Sequence, residues 1–315
     1  MKNNEKGFAI ALAWPEMYCK QTAAWYDSLT HLLGISKNHY YKVGHAALVL
    51  VDSKGNCLYF DFGRYHAPYQ WGRVRSAEAD HDLIIKTKAV FSDDGTQILN
   101  FREILEELQN NPACHGEGKL HASFCSIDYS AAAAKAGEMH ERHIWPYGPF
   151  IWNGTNCSRF VNTVIRAGKP DLKKWLYLRF LKPITPTTLN NVHALNKKEV
   201  LPHMLAKAPF YPAQKPPRER LYGIIPMPEK PAHLQDSILL WLSGEGAGSW
   251  FQPEFKENTV LLKRFTATGE LEGETELKLL EGEMPKSDQE IKITYPSALH
   301  LLNLEVNGKK IKYGK

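Results

Sequence analysis

Two rhythms of apolar positions run along the chain. Phe8 to Trp14 is a short, nearly continuous apolar run stopped by Pro15, the signature of a buried strand. His45 to Val51 and Cys57 to Phe62 are two apolar, β-prone runs around the turn residues Asp52-Ser-Lys-Gly-Asn56, which predicts a hairpin. Leu120 to Ile127 alternates as a strand does, and Leu83 to Val90 is a further strand candidate. The helical rhythm occupies Gln21 to Leu33, where Ala24, Trp25, Leu29, Leu32 and Leu33 form one stripe closed by Gly34. It returns in Ile98 to Gln109, Tyr129 to His143 and Asn156 to Ala167, the last closed by Gly168. Residues 63–80 read as a loop dense in Arg, Tyr, His and Trp.

Residues 202–231 hold eight of the 19 prolines, which excludes helix interior and central strand. This stretch is a linker or an extended segment wrapped over the surface. Beyond it come β-rich runs, Val260 to Phe265, Glu274 to Leu280 and Glu290 to Tyr295. Asn307-Gly308 then marks a two-residue hairpin between Leu304-Glu-Val306 and Lys309 to Tyr313. The organisation expected is a first domain over 1–201, a Pro-rich segment over 202–234 and a small β-rich domain over 235–315. The fold class is α+β, with helices packed on a mainly antiparallel sheet.

The chain has 315 residues, 43% hydrophobic and 23% charged, an ordinary globular composition. No apolar run approaches the roughly 20 residues a membrane helix needs, and no signal-peptide pattern opens the chain. The five cysteines show no paired spacing, which suits a reducing compartment and a cytoplasmic location. The net charge is +5, but its excess is spread out and forms no Lys/Arg stripe, so neither nucleic acid nor membrane is expected as a partner. A partner for the C-terminal domain cannot be named.

Cys157 carries the most specific chemistry. Asn153, Thr155 and Asn156 are all competent caps, so Cys157 falls in the first turn of its helix. Unpaired amides and the positive end of the helix dipole favour a thiolate there, and the same amides suit a developing oxyanion. Phe160, Val161, Val164 and Ile165 turn that face of the helix to the core. The bland alternative is a small buried hydrophobe, which fits Cys57 and Cys125 inside strands better. His45 opens a strand after Gly44, where one ring nitrogen can face a cleft; a thiol needs such a base. Counting through the hairpin puts Asp61 to Gly63 opposite His45, which makes Asp61 the acidic candidate to orient the imidazole. The competing reading of Asp61 is an edge carboxylate paired with Arg64.

Gly44-His45-Ala46-Ala47-Leu48-Val49-Leu50, followed far downstream by Asn156-Cys157-Ser158-Arg159-Phe160-Val161, resembles the circularly permuted papain-like proteins of the NlpC/P60 superfamily. There the histidine strand precedes the cysteine helix. The resemblance covers roughly residues 40–168 and implies a permuted papain-like domain with a Cys-His pair. The chain departs from that pattern after His45: no second His or Gln follows, only Asp61. The whole chain, with Trp241-Leu-Ser-Gly-Glu-Gly-Ala-Gly-Ser-Trp250-Phe251, also resembles an uncharacterised Bacteroidetes family that implies no activity.

Other signals are weaker. Cys114, His115, His121 and Cys125 suggest zinc, but His121 and Cys125 sit four apart on a strand, about 13 Å, too far for one ion. His140-Glu-Arg-His143 lacks the i/i+4 zinc spacing. Gly244, Gly246 and Gly248 lack the βαβ context of a dinucleotide loop and read as a tight turn. No metal and no cofactor is therefore expected. Arg64, Tyr65 and His66, in the loop leaving the second hairpin strand, are candidate substrate contacts. So are Tyr147 and Asn156, which flank the cysteine loop, and Tyr18, a possible second oxyanion donor. These residues read as a cysteine hydrolase of amidase or peptidase type acting on a small-molecule, peptide or acyl substrate. An acyltransferase or thioesterase would use the same groups, and a non-catalytic binding module could keep the fold.

Overall fold

The computed structural model describes residues 5–114, 116–181, 184–235, 237–286 and 289–315. Strands in the first 201 residues are β1 (Lys6–Trp14), β2 (Tyr18–Lys20), β3 (Ser36–Lys37), β4 (Tyr40–Lys42), β5 (His45–Val51), β6 (Cys57–Gly63), β7 (Trp71–Ser76), β8 (Leu120–Asp128), β9 (Trp145–Pro146) and β10 (Asn196–Leu201). Those beyond are β11 (Leu240–Ser243), β12 (Gly248–Lys256), β13 (Thr259–Phe265), β14 (Leu271–Glu281), β15 (Ile291–Ala298), β16 (Leu301–Val306) and β17 (Lys309–Gly314). The helices are α1 (Asp27–Leu32), α2 (Phe101–Asn110), α3 (Tyr129–Glu141), α4 (Cys157–Ala167), α5 (Leu172–Phe180), α6 (Thr188–His193) and α7 (Arg218–Leu221).

The fold is α+β. One antiparallel sheet, in the order β10-β8-β1-β5-β6-β7-β9, carries helices on its faces. The sequence of β1 explains how. Phe8, Ile10, Leu12 and Trp14 fill one face and pack with Phe101, Ile104, Leu105 and Leu108 of α2. Ala9, Ala11 and Ala13 point to the other face, where Phe160, Val161, Val164 and Ile165 of α4 join them with Ala132 and Ala136 of α3. Three alanines in alternate positions leave α4 room to lie close to the sheet. A small sheet, β2-β4-β3, stands apart from this one.

The C-terminal β-rich domain is an antiparallel sheet, β11-β12-β13-β14-β17-β16-β15. Its outer strands approach each other, and the Tyr295 hydroxyl on β15 donates to Ser243 O on β11 at 2.8 Å, so the sheet is nearly a barrel. The β16–β17 turn is the expected one: Asn307 and Gly308 have φ of 50° and 76°, the two left-handed positions a type I′ hairpin requires. The Pro-rich segment lies on the surface. Asn38 Nδ2 donates to Pro212 O at 2.8 Å, Phe210 packs on Tyr40, and Ile225 N donates to Gly244 O at 2.9 Å.

Three local expectations fail. The helix expected over Gln21 to Leu33 shrinks to α1, because Ala23 takes a left-handed φ of 56° and breaks the chain before it. Its apolar stripe faces solvent, with Trp25 74% and Leu32 82% exposed. Over Leu83 to Val90 no strand forms: Leu83 ends a short 3-10 turn (His81–Leu83), and beyond it the Glu107 carboxylate accepts from Lys86 N and Thr87 N, taking the place of a partner strand. Residues 63–80 contain β7, which reads as loop because its alternate residues Arg73 and Arg75 are charged. Both are buried, Arg73 on Asp80 and Arg75 on Asp61.

A second buried ion cluster joins the sheets. Arg264 on β13, 1% exposed, reaches Asp80 at 2.8 Å and Glu272 at 2.8 Å, while Arg73 grips Asp80 through two bonds of 2.8 and 2.6 Å. Removing one member of a buried cluster strands the others' charge. Arg264→Ala is therefore expected to lower unfolding free energy by about 3 kcal/mol in urea titrations; a loss under about 1 kcal/mol would show that the cluster does not couple the two sheets.

Candidate active site

The site sits at the end of the main sheet where β5 begins. Gly44 makes the approach, with φ at +75°; a Cβ there would lie 2.6 Å from Trp14 O and 2.7 Å from Pro15 Cα. His45 then opens β5 opposite Trp14, whose indole lies nearly parallel to the imidazole at 6.0 Å between centroids. Asp61 pairs with Ala47 across the hairpin, two residues from His45, so it faces the same side of the sheet. Its Oδ2 lies 3.1 Å from His45 Nε2, as the hairpin count requires. The other ring nitrogen, Nδ1, does not take part in the Asp61 contact, and the imidazole and the Cys157 thiol are close enough for each to shift the other's titration.

Cys157 comes from the opposite face of the sheet, as the first residue of α4. Asn156 caps the helix, its Oδ1 accepting from Arg159 N at 2.9 Å. The amides of Cys157 and Ser158 precede the first backbone bond of the helix, which Phe160 donates to Asn156 O at 2.9 Å. Cys157 thus has a helix N-terminus beneath it and an imidazole beside it.

Asp61 is the anchor. Arg75 grips it twice, Nε to Oδ1 at 2.9 Å and Nη2 to Oδ2 at 2.5 Å, and the Tyr59 hydroxyl donates to Oδ2 at 3.1 Å. Burial alone would raise its pKa, but Arg75 and His45 hold the carboxyl well below the usual range. Asp61 therefore takes Arg75 and His45 as partners, and the alternative pairing with Arg64 does not form. His45 is pushed by burial toward the neutral form, yet Asp61 and Cys157 raise it to about 9. For Cys157, burial raises the pKa, and the His45 hydrogen bond and charge, with Ala46 N–H, bring it below the ordinary thiol value. The other thiols are raised by burial, Cys57 to about 11 and Cys19, Cys114 and Cys125 to about 12. Linkage follows: the His45 contribution to stability is complete below the ordinary 6.5 and lost as pH rises through about 9. The Asp61 contribution is complete above 3.8 and lost as pH falls through its depressed value.

Cys157 opens into a cavity of about 530 Å³ whose walls include Tyr26, Ile35, Val43, Phe150 and Leu189. Of the residues expected as substrate contacts, Arg64, Tyr147 and Asn156 line it. Three other expected contacts do not. Tyr65 turns inward, its ring 4.0 Å from the Arg75 guanidinium, and so supports the residue that holds Asp61. His66 is buried between Arg73 Nη2 at 3.1 Å and Ser249 Oγ at 2.9 Å. Tyr18 on β2 packs edge-on against Tyr211 of the Pro-rich segment. Tyr65 and His66 lie in the connection between β6 and β7, which folds back onto the buried Arg73 and Arg75 instead of facing the cleft.

Several residues at the site hold roles that local patterning does not single out. Cys19 and Lys20 line the same cavity, and the Cys19 thiol donates to Gly44 O at 3.5 Å. Trp14 and Arg75 lie behind His45 and Asp61. Trp14 could have been found as the cross-strand neighbour of His45; Arg75 could have been found only once β7 was recognised. Among the described residues no group of three His, Cys, Asp or Glu could hold a metal ion, and His115 lies outside them. Among the described residues no helix is long and apolar enough to cross a membrane.

Residues 239–315 match the DUF6695 C-terminal domain, and no curated protein and no solved structure matches the chain. Residues 9–173, which span β1 through α4 and hold His45, Asp61 and Cys157, match the family described as Type VI secretion system effector TseH-like, and the chain belongs to that family.

Proposed function

We propose that the protein is a cysteine hydrolase of amidase or peptidase type, with a circularly permuted papain-like arrangement of the NlpC/P60 kind. The observation that carries this reading is the fate of the five thiols. Cys157 alone is drawn below the ordinary thiol pKa, and it lies on the cavity beside an imidazole anchored by a buried carboxylate. The chain order, histidine strand before cysteine helix, and the family match over 9–173 support it. With it we propose a catalytic part over 1–201, a wrapping segment over 202–234 and a β-rich part over 235–315.

In this mechanism Cys157 Sγ attacks the substrate carbonyl carbon while the first-turn amides of α4 hold the oxyanion. The C–N bond then breaks, and the His45 imidazolium gives its proton to the departing amine. Water enters, His45 takes one of its protons, and hydroxide addition to the thioester returns the free acid and the thiol. Asp61 keeps the imidazole oriented and favours its charged form. A second reading, thioester hydrolysis or acyl transfer, is favoured by the apolar side chains around the cavity and uses the same steps with a different leaving group or acceptor.

Two outcomes test the proposal. At pH 7, iodoacetamide should alkylate Cys157 at least about tenfold faster than any other cysteine, followed by peptide mass spectrometry. His45→Ala should slow it at that pH, with the gap narrowing above about pH 9, where thiols ionise unaided. Uniform labelling of all five thiols would remove the nucleophile.

The second outcome is a pH profile measured on a panel of amides and thioesters. kcat/KM should fall as pH rises through about 9, where His45 loses the proton it must donate. Asp61→Asn removes the charge that raises His45, so that limb should move down toward 6.5, and kcat should drop by about a hundredfold or more. An alkaline limb that stays put in the variant would take Asp61 out of the mechanism.

A further inference from the structure

The turn between β11 and β12, in the C-terminal β-rich domain, lies directly behind the wall of the Cys157 cavity, against its lining residues Arg64 and Lys20. Glu245 at its tip has a side chain with no exposed surface. One carboxylate oxygen, Oε2, lies 2.6 Å from Arg64 Nη1 and 3.4 Å from Lys20 Nζ; the other accepts from Gln70 N at 2.9 Å. The turn is fixed from its backbone too, because Gly246 N donates to Arg64 O at 2.9 Å and Tyr65 bridges Ala247. Gly244 can only be glycine-sized, since a Cβ there would fall 2.5 Å from Arg64 O.

Glu245 holds two cations that line the cavity. Arg64 is spread between Glu245 and Lys20 O, the latter at 2.6 Å, and its guanidinium lies 4.9 Å from the Tyr147 ring. Tyr147 is stacked on its other side by Phe62, nearly parallel at 5.9 Å. Lys20 has its remaining hydrogen bonds taken by Arg220 O at 2.5 Å and Gly223 O at 3.1 Å, so it clasps the wrapping segment rather than pointing at a ligand. Lys42 also lines the cavity but is exposed to water; Arg64 is therefore the buried cation of the wall, and Glu245 cancels its charge where most other lining groups are apolar or uncharged.

We propose that Glu245 is a positioning and specificity-determining residue that the C-terminal domain contributes to the site: it fixes Arg64 against Tyr147 and neutralises it, so that the cavity takes an uncharged acyl group. This rests on the reading of Cys157 as nucleophile. A carboxylate-bearing acyl group would have to compete with Glu245 for Arg64; without Glu245 the same cavity becomes an anion site.

The test uses the full chain and two electrophiles of similar size, neutral iodoacetamide and anionic iodoacetate, with the rate at Cys157 followed for each. Glu245→Gln keeps the shape and removes the charge, and should raise the iodoacetate-to-iodoacetamide ratio about fivefold over wild type. Arg64→Met leaves Glu245 behind and should move the ratio the opposite way, whereas damage to packing would shift both rates together in either variant. Glu245→Asp keeps the charge and should stay near the wild-type ratio. A reactive Cys157 whose ratio is unchanged in Glu245→Gln, or moves the same way in both charge variants, overturns this inference alone. A wild-type Cys157 that reacts no faster than the other thiols overturns the nucleophile as well.

Discussion

Asp61 is a fully buried carboxylate, and burying such a group without partners costs several kcal/mol. Its two oxygens are met by Arg75, His45 and Tyr59, and each of those is fixed by something else. Arg75 lies against Tyr65; His45 lies against Trp14; Trp14 donates to Gln109 at 2.7 Å, whose amide in turn donates to Gly118 O and Pro202 O. The requirement to satisfy one negative charge thus sets the positions of β5, β6 and β7 relative to each other and orients the imidazole as a by-product. The geometry costs the site little mobility, because the strands would be held this way with or without a substrate.

The main sheet and the His45–Asp61–Cys157 grouping were largely legible in the chain. A strand pair with a short turn fixes register, and register fixes which residue faces which; that is why Asp61 could be found by counting. A capped helix start likewise fixes where Cys157 lies. Both are local rules acting over a dozen residues.

What escaped was set by partners far away. Arg73 and Arg75 read as loop residues because isolated charges avoid cores, and only Asp80 and Asp61 make their burial tolerable. The stripe on α1 obeys helical periodicity and still faces solvent, since periodicity reports which side is apolar and not whether anything packs on it. Tyr65 and His66 follow the strand that pairs with His45 and so read as bordering the cleft, but their connection folds inward onto Arg75 and Arg73, partners no local pattern reveals. Glu245 gave no signal at all, because nothing within the β11–β12 segment reveals a cation lying 181 positions earlier.

The turn bearing Glu245 also orders events in time. Ribosomes release a chain from its N-terminus, and domains fold in that order. All of the main sheet except its edge strand β10, with His45 and Cys157, can assemble as soon as α4 is made, but Arg64 is then a buried cation missing the carboxylate it is built around. That carboxylate arrives only with the last quarter of the polypeptide. Until then the wall holding Arg64 and Tyr147 has reason to stay open to water, so a half-made chain carries Cys157 and His45 without a finished chamber around them.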